Sequence, residues 1–133
     1  MVVDTSAIVA ILQGEPERRR FIEALEGADT RRLSVASVVE ISMIIESRYG
    51  PDGLRDLDAF LARAQFELVS VDRDQAYCAR EAFSRFGKGR HRASLNYGDC
   101  FSYALARILG EPLLCKGDDF MHTDLNLVGA SGD

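Results

Sequence analysis

Acidic residues stand where apolar runs break off, and that placement is the first sign of chemistry in this sequence. Asp4 follows the apolar "MVV", Glu40 follows "RLSVASVV", Asp99 opens an apolar helical segment, and Asp118 and Asp119 follow "LLCKG". In an open parallel sheet, ligands bind in the crevice beyond the carboxyl ends of the strands. If the runs before these acids are strands of one such sheet, the carboxylates converge there. Two carboxylates about 5 Å apart repel by roughly 3 kcal/mol at an effective dielectric of about 20. A bare ionised cluster is therefore unfavourable unless it takes up protons or encloses a divalent cation. The candidate ligands are all oxygens, which suits a hard ion, Mg²⁺ or Mn²⁺. Such an ion keeps several waters and binds phosphates, so the natural chemistry is metal-assisted phosphodiester hydrolysis. Glu40 is the candidate to orient or deprotonate the attacking water.

Each acid also has a purely structural reading. Glu40 completes a capping box with Ser37 in "SVVE". Asp99 suits the positive end of a helix, and Asp118 and Asp119 suit a turn in "KGDDF". Asp4 resists that treatment, because Thr5 or Ser6 already offers a cap for the next helix. The Ser6 hydroxyl, with the helix amides, is placed to hold Asp4 or a phosphate. Only the coincidence of all these acids at strand ends favours chemistry. His91 and Arg90, in the basic loop "KGRHR" (Lys88 to Arg92), are candidates for the substrate backbone, with an ordinary surface role as the alternative; His122 has no spacing argument.

The elements that must position these residues alternate strand and helix, as in a parallel sheet covered on both faces. The expected order runs through a strand at Met1 to Val3, a helix from Ser6 to Gln13 stopped by Gly14, and a helix from Pro16 to Gly27. The strand "RLSVA" leads into a helix from Ser37 to Tyr49, apolar on nearly every face and so expected to be buried, which Gly50 and Pro51 end. A helix bearing Leu54, Leu57, Phe60 and Leu61 follows, then the strand "ELVSV" and a helix after Asp72. Residues 88–97 read as a mobile loop, Gly98 to Leu109 as a helix, "LLCK" as a strand and "NLVGA" as a short last one. The tail "SGD" is expected to be disordered. The fold class is thus α/β: one domain over residues 1–133, with a central parallel sheet of four or five strands flanked by helices.

A length of 133 residues, 47% hydrophobic and 28% charged, suits one globular domain. No apolar run is long enough to span a bilayer, and no basic segment precedes a signal-type core, so the expected location is cytoplasmic. Cys78, Cys100 and Cys115 form no CxxC pair and read as reduced thiols. The net charge of −5 opposes a polyanionic partner, but basic clusters at Arg18 to Arg20, at Arg31 with Arg32, and at "KGRHR" leave local exceptions.

"MVVDTSAIVAIL", "SVASVVEISMIIESRYG", "LNYGDCFSYALAR" and "LLCKGDDFMHTDL" together resemble the PIN-domain ribonucleases, specifically the VapC-type toxins of bacterial toxin–antitoxin modules, over nearly the whole chain. The resemblance implies an Mg²⁺- or Mn²⁺-dependent endoribonuclease. It also implies a homodimer, held inactive by a small VapB-type antitoxin that covers the acidic groove. Carried over by motif, Asp4, Glu40 and Asp99 match the three firm acids, and Asp118 or Asp119 the fourth. Asn96 matches a polar position that supports the site. Exposed apolar parts of the two helices between Ser37 and Gln65 are candidates for the antitoxin groove or the dimer contact. Two alternatives use similar parts. A haloacid-dehalogenase-type phosphatase needs a second acid where Ser6 stands. A phosphoacceptor receiver domain needs paired acids after the first strand, where "VVDTS" offers one.

Overall fold

The computed structural model describes residues 1–129. In chain order it contains β1 (Val2–Val3), α1 (Thr5–Leu12), α2 (Arg18–Gly27), β2 (Arg32–Ser34), α3 (Val35–Arg63), β3 (Glu67–Val69), α4 (Arg73–Phe86), α5 (Tyr97–Leu109) and β4 (Leu113–Leu114), and then a 3-10 turn at Asp119–His122. The four strands form one parallel sheet in the order β3-β2-β1-β4. The "NLVGA" segment contributes one bridge, Leu127 to Leu113, in place of a full strand. Its Ala130 and the tail "SGD" lie outside the described residues.

The strands are two or three residues long, and their alternation divides the core. Val2 and Leu113 face α4 and α5, where Cys100, Tyr103 and Leu105 are buried. Val3, Leu33 and Leu114 face α1, α2 and α3, where Ile8, Phe21 and Ile41 are buried. A parallel sheet buried on both faces needs apolar residues at consecutive positions, which is why these strands show no polar alternation. The chain steps from β1 through β2 to β3 in one direction and then places β4 on the other side of β1. The strand order therefore reverses beside β1, and Asp4 is the first residue beyond it.

Several boundaries differ from the sequence reading. Pro16 and Glu17 form a turn, and α2 begins at Arg18. The cap of α3 is Ser34, whose hydroxyl accepts from the Ala36 amide at 3.2 Å. Ser37 and Glu40 thus lie inside the helix and form no capping box. Gly50 breaks α3 with φ +67°, a conformation that suits glycine, and Pro51 restarts it. The expectation that the first half of α3 is buried all round also fails. Ile41 and Ile45 face the core, whereas Val39 and Met43 are 59% and 66% exposed. A helix lying on a sheet covers one stripe only, and residues two positions along, about half a turn round, stay outside.

Residues 88–97 form a tied loop. Lys88 N donates to Leu95 O and Leu95 N to Phe86 O, each at 2.9 Å, and Ala93 and Leu95 are fully buried. Arg31, read from sequence as part of a basic cluster, is an internal staple whose guanidinium donates to the carbonyls of Leu25, Ala28 and Ala64. Among the described residues no helix is long and apolar enough to cross a membrane. All three cysteines are free.

Phe21 is the largest fully buried side chain. Phe21→Ala is expected to lower the unfolding free energy by about 3–5 kcal/mol, seen as a reduced urea midpoint with an unchanged slope.

Candidate functional site

Asp4 leaves the end of β1 and caps α1, its Oδ2 accepting from the Ser6 amide at 3.0 Å and the Ser6 hydroxyl at 2.7 Å. The cap expected of Thr5 or Ser6 is therefore made by Asp4 itself. The Ser6 hydroxyl oxygen in turn accepts from the Lys116 amide beyond β4 at 2.9 Å, which directs its proton to Asp4. On the other side, Ser102 of α5 donates to Asp4 Oδ1 at 2.6 Å. Asp4 is only 3% exposed, yet three donors meet its carboxylate. A buried acid without such donors would be costly.

Thr5 does not cap α1. Its hydroxyl donates to Glu40 Oε1 at 2.6 Å, across 35 residues of chain. Glu40 therefore faces β1 from the second turn of α3. Its carboxylate rests on Gly98, where an added Cβ would stand 2.2 Å from Oε2. Glycine is required there by close approach. Asp99, the next residue, forms a capping box at the start of α5. Asn96 N donates to Asp99 Oδ2 at 3.0 Å, and Asp99 N donates to Asn96 Oδ1 at 2.9 Å. Asn96, matched earlier only as a supporting polar residue, thus fixes the orientation of Asp99.

Electrostatics link the acids. Burial pushes Asp99 up to about 7; the charges of Asp4, Glu40 and Asp119 add to this, and the Asn96 amide opposes it. Burial and then the charges of Asp4, Asp99 and Asp119, with Arg20 opposing, push the Cys115 thiol up to about 12, so it remains protonated and unreactive. Of the "GDD" pair, Asp119 is the one whose charge reaches both groups. Asp118 precedes the 3-10 turn with no side-chain cap, and both residues are exposed.

The other candidates have separate contacts. His91 Nδ1 accepts from the Ala93 amide at 3.0 Å, and its ring meets Phe86 edge-on at 5.1 Å, so it closes the loop. Arg90 lies over the ring of Phe83 at 5.2 Å. Sequence reasoning missed Ser102 and Gly98. The signal for Ser102 was its position three after Asp99, which puts both on one face of α5; nothing local marked the contact of Gly98 with Glu40.

The donors around the crevice are carboxylates and hydroxyls, with no neighbouring histidine or thiolate. Among the described residues no group of three or more His, Cys, Asp or Glu side chains is placed to hold an ion alone. Mg²⁺ commonly binds through one or two carboxylates and keeps its remaining waters. An acid that burial, reinforced by the charges of Asp4, Glu40 and Asp119, pushes up to about 7 is one that a divalent ion relieves, so the residues fit such an ion.

The family model for the PIN domain matches residues 1–125. The chain is 56% identical to Ribonuclease VapC30 of Mycobacterium tuberculosis over 128 residues, covering 96% of this chain and 98% of that protein. It superposes on the crystal structure of the Mycobacterium tuberculosis toxin VapC20, described as sarcin-ricin loop cleaving, with a TM-score of 0.76 at 18% identity over 93% and 95% of the two chains. It also superposes on VapBC2 of Rickettsia felis bound to a promoter DNA fragment, with a TM-score of 0.74 at 17% identity over 95% of each chain.

Two outcomes follow from this geometry. Gly98→Ala is expected to leave the protein folded but to displace Glu40, measured as a smaller rise in Tm on adding Mg²⁺ than the wild type gives. The second concerns pH. An acid whose folded value lies near 7, above its ordinary 3.8, holds a proton that the unfolded chain releases. Its contribution to stability is complete below about pH 4 and is lost as pH rises through 7. A cation bound at Asp99 would replace that proton, so any rise in Tm on adding Mg²⁺ is expected to be larger at pH 8 than at pH 5.5; the same rise at both pH values would show that Asp99 does not meet the ion.

Proposed function

The chain belongs to the PIN-domain family, as a VapC-type ribonuclease of a toxin–antitoxin module, and from that premise we propose how its acids cut RNA. Asp4, Glu40 and Asp99 form the catalytic set around Mg²⁺ or Mn²⁺, with Asp119, or its neighbour Asp118, at a second or weaker position. The observation that carries this reading is the buried Asp4 carboxylate beside the reversal of strand order, held by Ser6 and Ser102 and coupled by charge to Asp99.

Asp4 and Asp99 are the metal ligands. Asp4 is fixed by its three donors, and Asp99 by the Asn96 amide on Oδ2, which leaves Oδ1 to face the crevice. When bound, the ion neutralises the phosphate and lowers the pKa of a coordinated water. Glu40 keeps Oε1 on the Thr5 hydroxyl and offers Oε2 to the proton of the attacking water. Asp119, exposed beside them, would help hold a second cation that offsets the substrate's phosphate charge.

RNA as substrate implies a cytoplasmic site of action. The partner is a VapB-type antitoxin, and the protein works as a homodimer. Two surfaces are open to such contacts: the exposed apolar stripe of Val35, Val39 and Met43 on α3, and a cleft of about 1070 Å³ between α1, α2 and the second half of α3, whose lining mixes Ile22 and Phe60 with Arg18, Glu26, Asp56 and Arg63.

Asp4→Asn and Asp99→Asn keep the side-chain shape and remove the charge. Each is expected to lower the rate of RNA cleavage in Mg²⁺ by at least about 100-fold, the low end of what one electrostatic or acid–base group supplies, with EDTA abolishing cleavage by the wild type. Cleavage at the wild-type rate by either folded variant would remove the proposal.

A further inference from the structure

Beside the acidic crevice, α4 and the start of α5 enclose a pocket of about 390 Å³, lined by Arg80, Phe83, Tyr97, Cys100 and Phe101 among others. That volume lies within the roughly 300–1,000 Å³ of ordinary ligand sites. Tyr97 is 81% exposed, the most exposed of the large hydrophobic side chains, and its ring stands edge-on to Phe101 at 4.9 Å. It immediately precedes Gly98, on which the Glu40 carboxylate rests, and lies two residues before Asp99. The pocket and the candidate acids therefore share the first turn of α5, on different faces of that helix.

The exposed face of α4 leading to this pocket interleaves cations with rings. Arg73 and Arg80 lie 5.8 and 4.6 Å from the centroid of Tyr77, and Arg90, reaching back from the loop, lies 5.2 Å from that of Phe83. Tyr77 is 51% and Phe83 38% exposed. Among the described residues none of the three arginines is ion-paired. The acids of the same helix, Asp74 and Glu81, fall one residue further round, on the neighbouring face. In a chain of net charge −5, this is a local surface of the opposite sign.

We propose that this surface is the strand-binding platform of the nuclease: an unpaired nucleotide next to the scissile phosphate stacks in the pocket against Tyr97 and Phe83, while Arg80, Arg73 and Arg90 follow the phosphates along α4. The proposal rests on RNA being the substrate. Rings that accept any base face, combined with unpaired guanidiniums, are the parts that bind single-stranded nucleic acid without reading its sequence. A second copy of this chain is the poorer occupant. A two-fold contact would set this patch against itself and bring its arginines together. The platform also gives the acidic crevice what it lacks, an attraction for a polyanion.

The test measures binding of a short dye-labelled oligoriboadenylate in EDTA, where no cleavage occurs, and separately measures cleavage in Mg²⁺. Tyr97→Ala is expected to weaken binding about 5- to 100-fold, the value of one stacked base, whereas Tyr97→Phe binds like the wild type. An abasic ribose-phosphate oligomer should bind Tyr97→Ala and wild type equally, a result that a merely structural role for Tyr97 would not give. Arg80→Ala should reduce the slope of log K against log salt by about 0.7, one phosphate contact on a single strand. Unchanged RNA affinity in Tyr97→Ala and Arg80→Ala would overturn the platform, as would a change of mass from dimer to monomer in Tyr97→Ala without loss of RNA affinity. The two readings fail separately. Weakened binding by Tyr97→Ala in a protein that does not cut RNA supports the platform and sinks the catalytic assignment. Unchanged binding in a protein that does cut RNA has the opposite meaning.

Discussion

Mutual repulsion of carboxylates in a partly dry crevice is the constraint around which this protein is built. Every unusual local feature of the site either holds a negative charge in place or makes room for one. Asp4 is anchored by Ser6 and Ser102, Glu40 by Thr5, and Asp99 by Asn96. Gly98 contributes by having no side chain. Burial first, and then the charges of Asp4, Glu40 and Asp119, raise the proton affinity of Asp99. The sheet supplies the framework with little length. Its strands of two or three residues are stabilised by burial on both faces, and their parallel order brings the ends of β1, β2 and β4 to the same edge.

Most of the architecture was legible because it rests on local signals. The apolar doublets Val2–Val3 and Leu113–Leu114, the stops at Gly14, Gly50 and Gly110, and the stripe of Leu57 and Leu61 each declare an element without reference to the rest of the chain. The helix caps were less legible. A serine followed three residues later by a glutamate suggested a start at Ser37, but the chain turned three residues earlier, at Ser34, because its hydroxyl could meet the Ala36 amide directly at the end of β2. Asp4, set apart from capping by its sequence context, is itself the cap of α1.

The acids at the ends of apolar runs were visible in the sequence; their supporting residues were not. Thr5 to Glu40 spans 35 residues and Ser102 to Asp4 spans 98, and neither pairing leaves a periodic trace. The choice between Asp118 and Asp119 likewise depends on the course of a turn, not on spacing. Exposure was misjudged for α3 for a related reason: composition says how apolar a helix is, and only its packing says which third of it meets the core. The outward Val39 and Met43 then read as surface kept available for another molecule.

Asp99 begins a helix with one oxygen, Oδ2, and keeps the other out of the capping box. That dual duty makes its position unusually intolerant of exchange. An amide side chain retains the cap and forfeits the charge; a glutamate retains both the charge and the reach to the Asn96 amide but shifts the carboxylate by one methylene; an alanine forfeits both. Inactivation and unfolding are thus separable at this one residue by choice of substituent, and any force that pulls on its carboxylate also tugs the opening turn of α5, where Tyr97 stands.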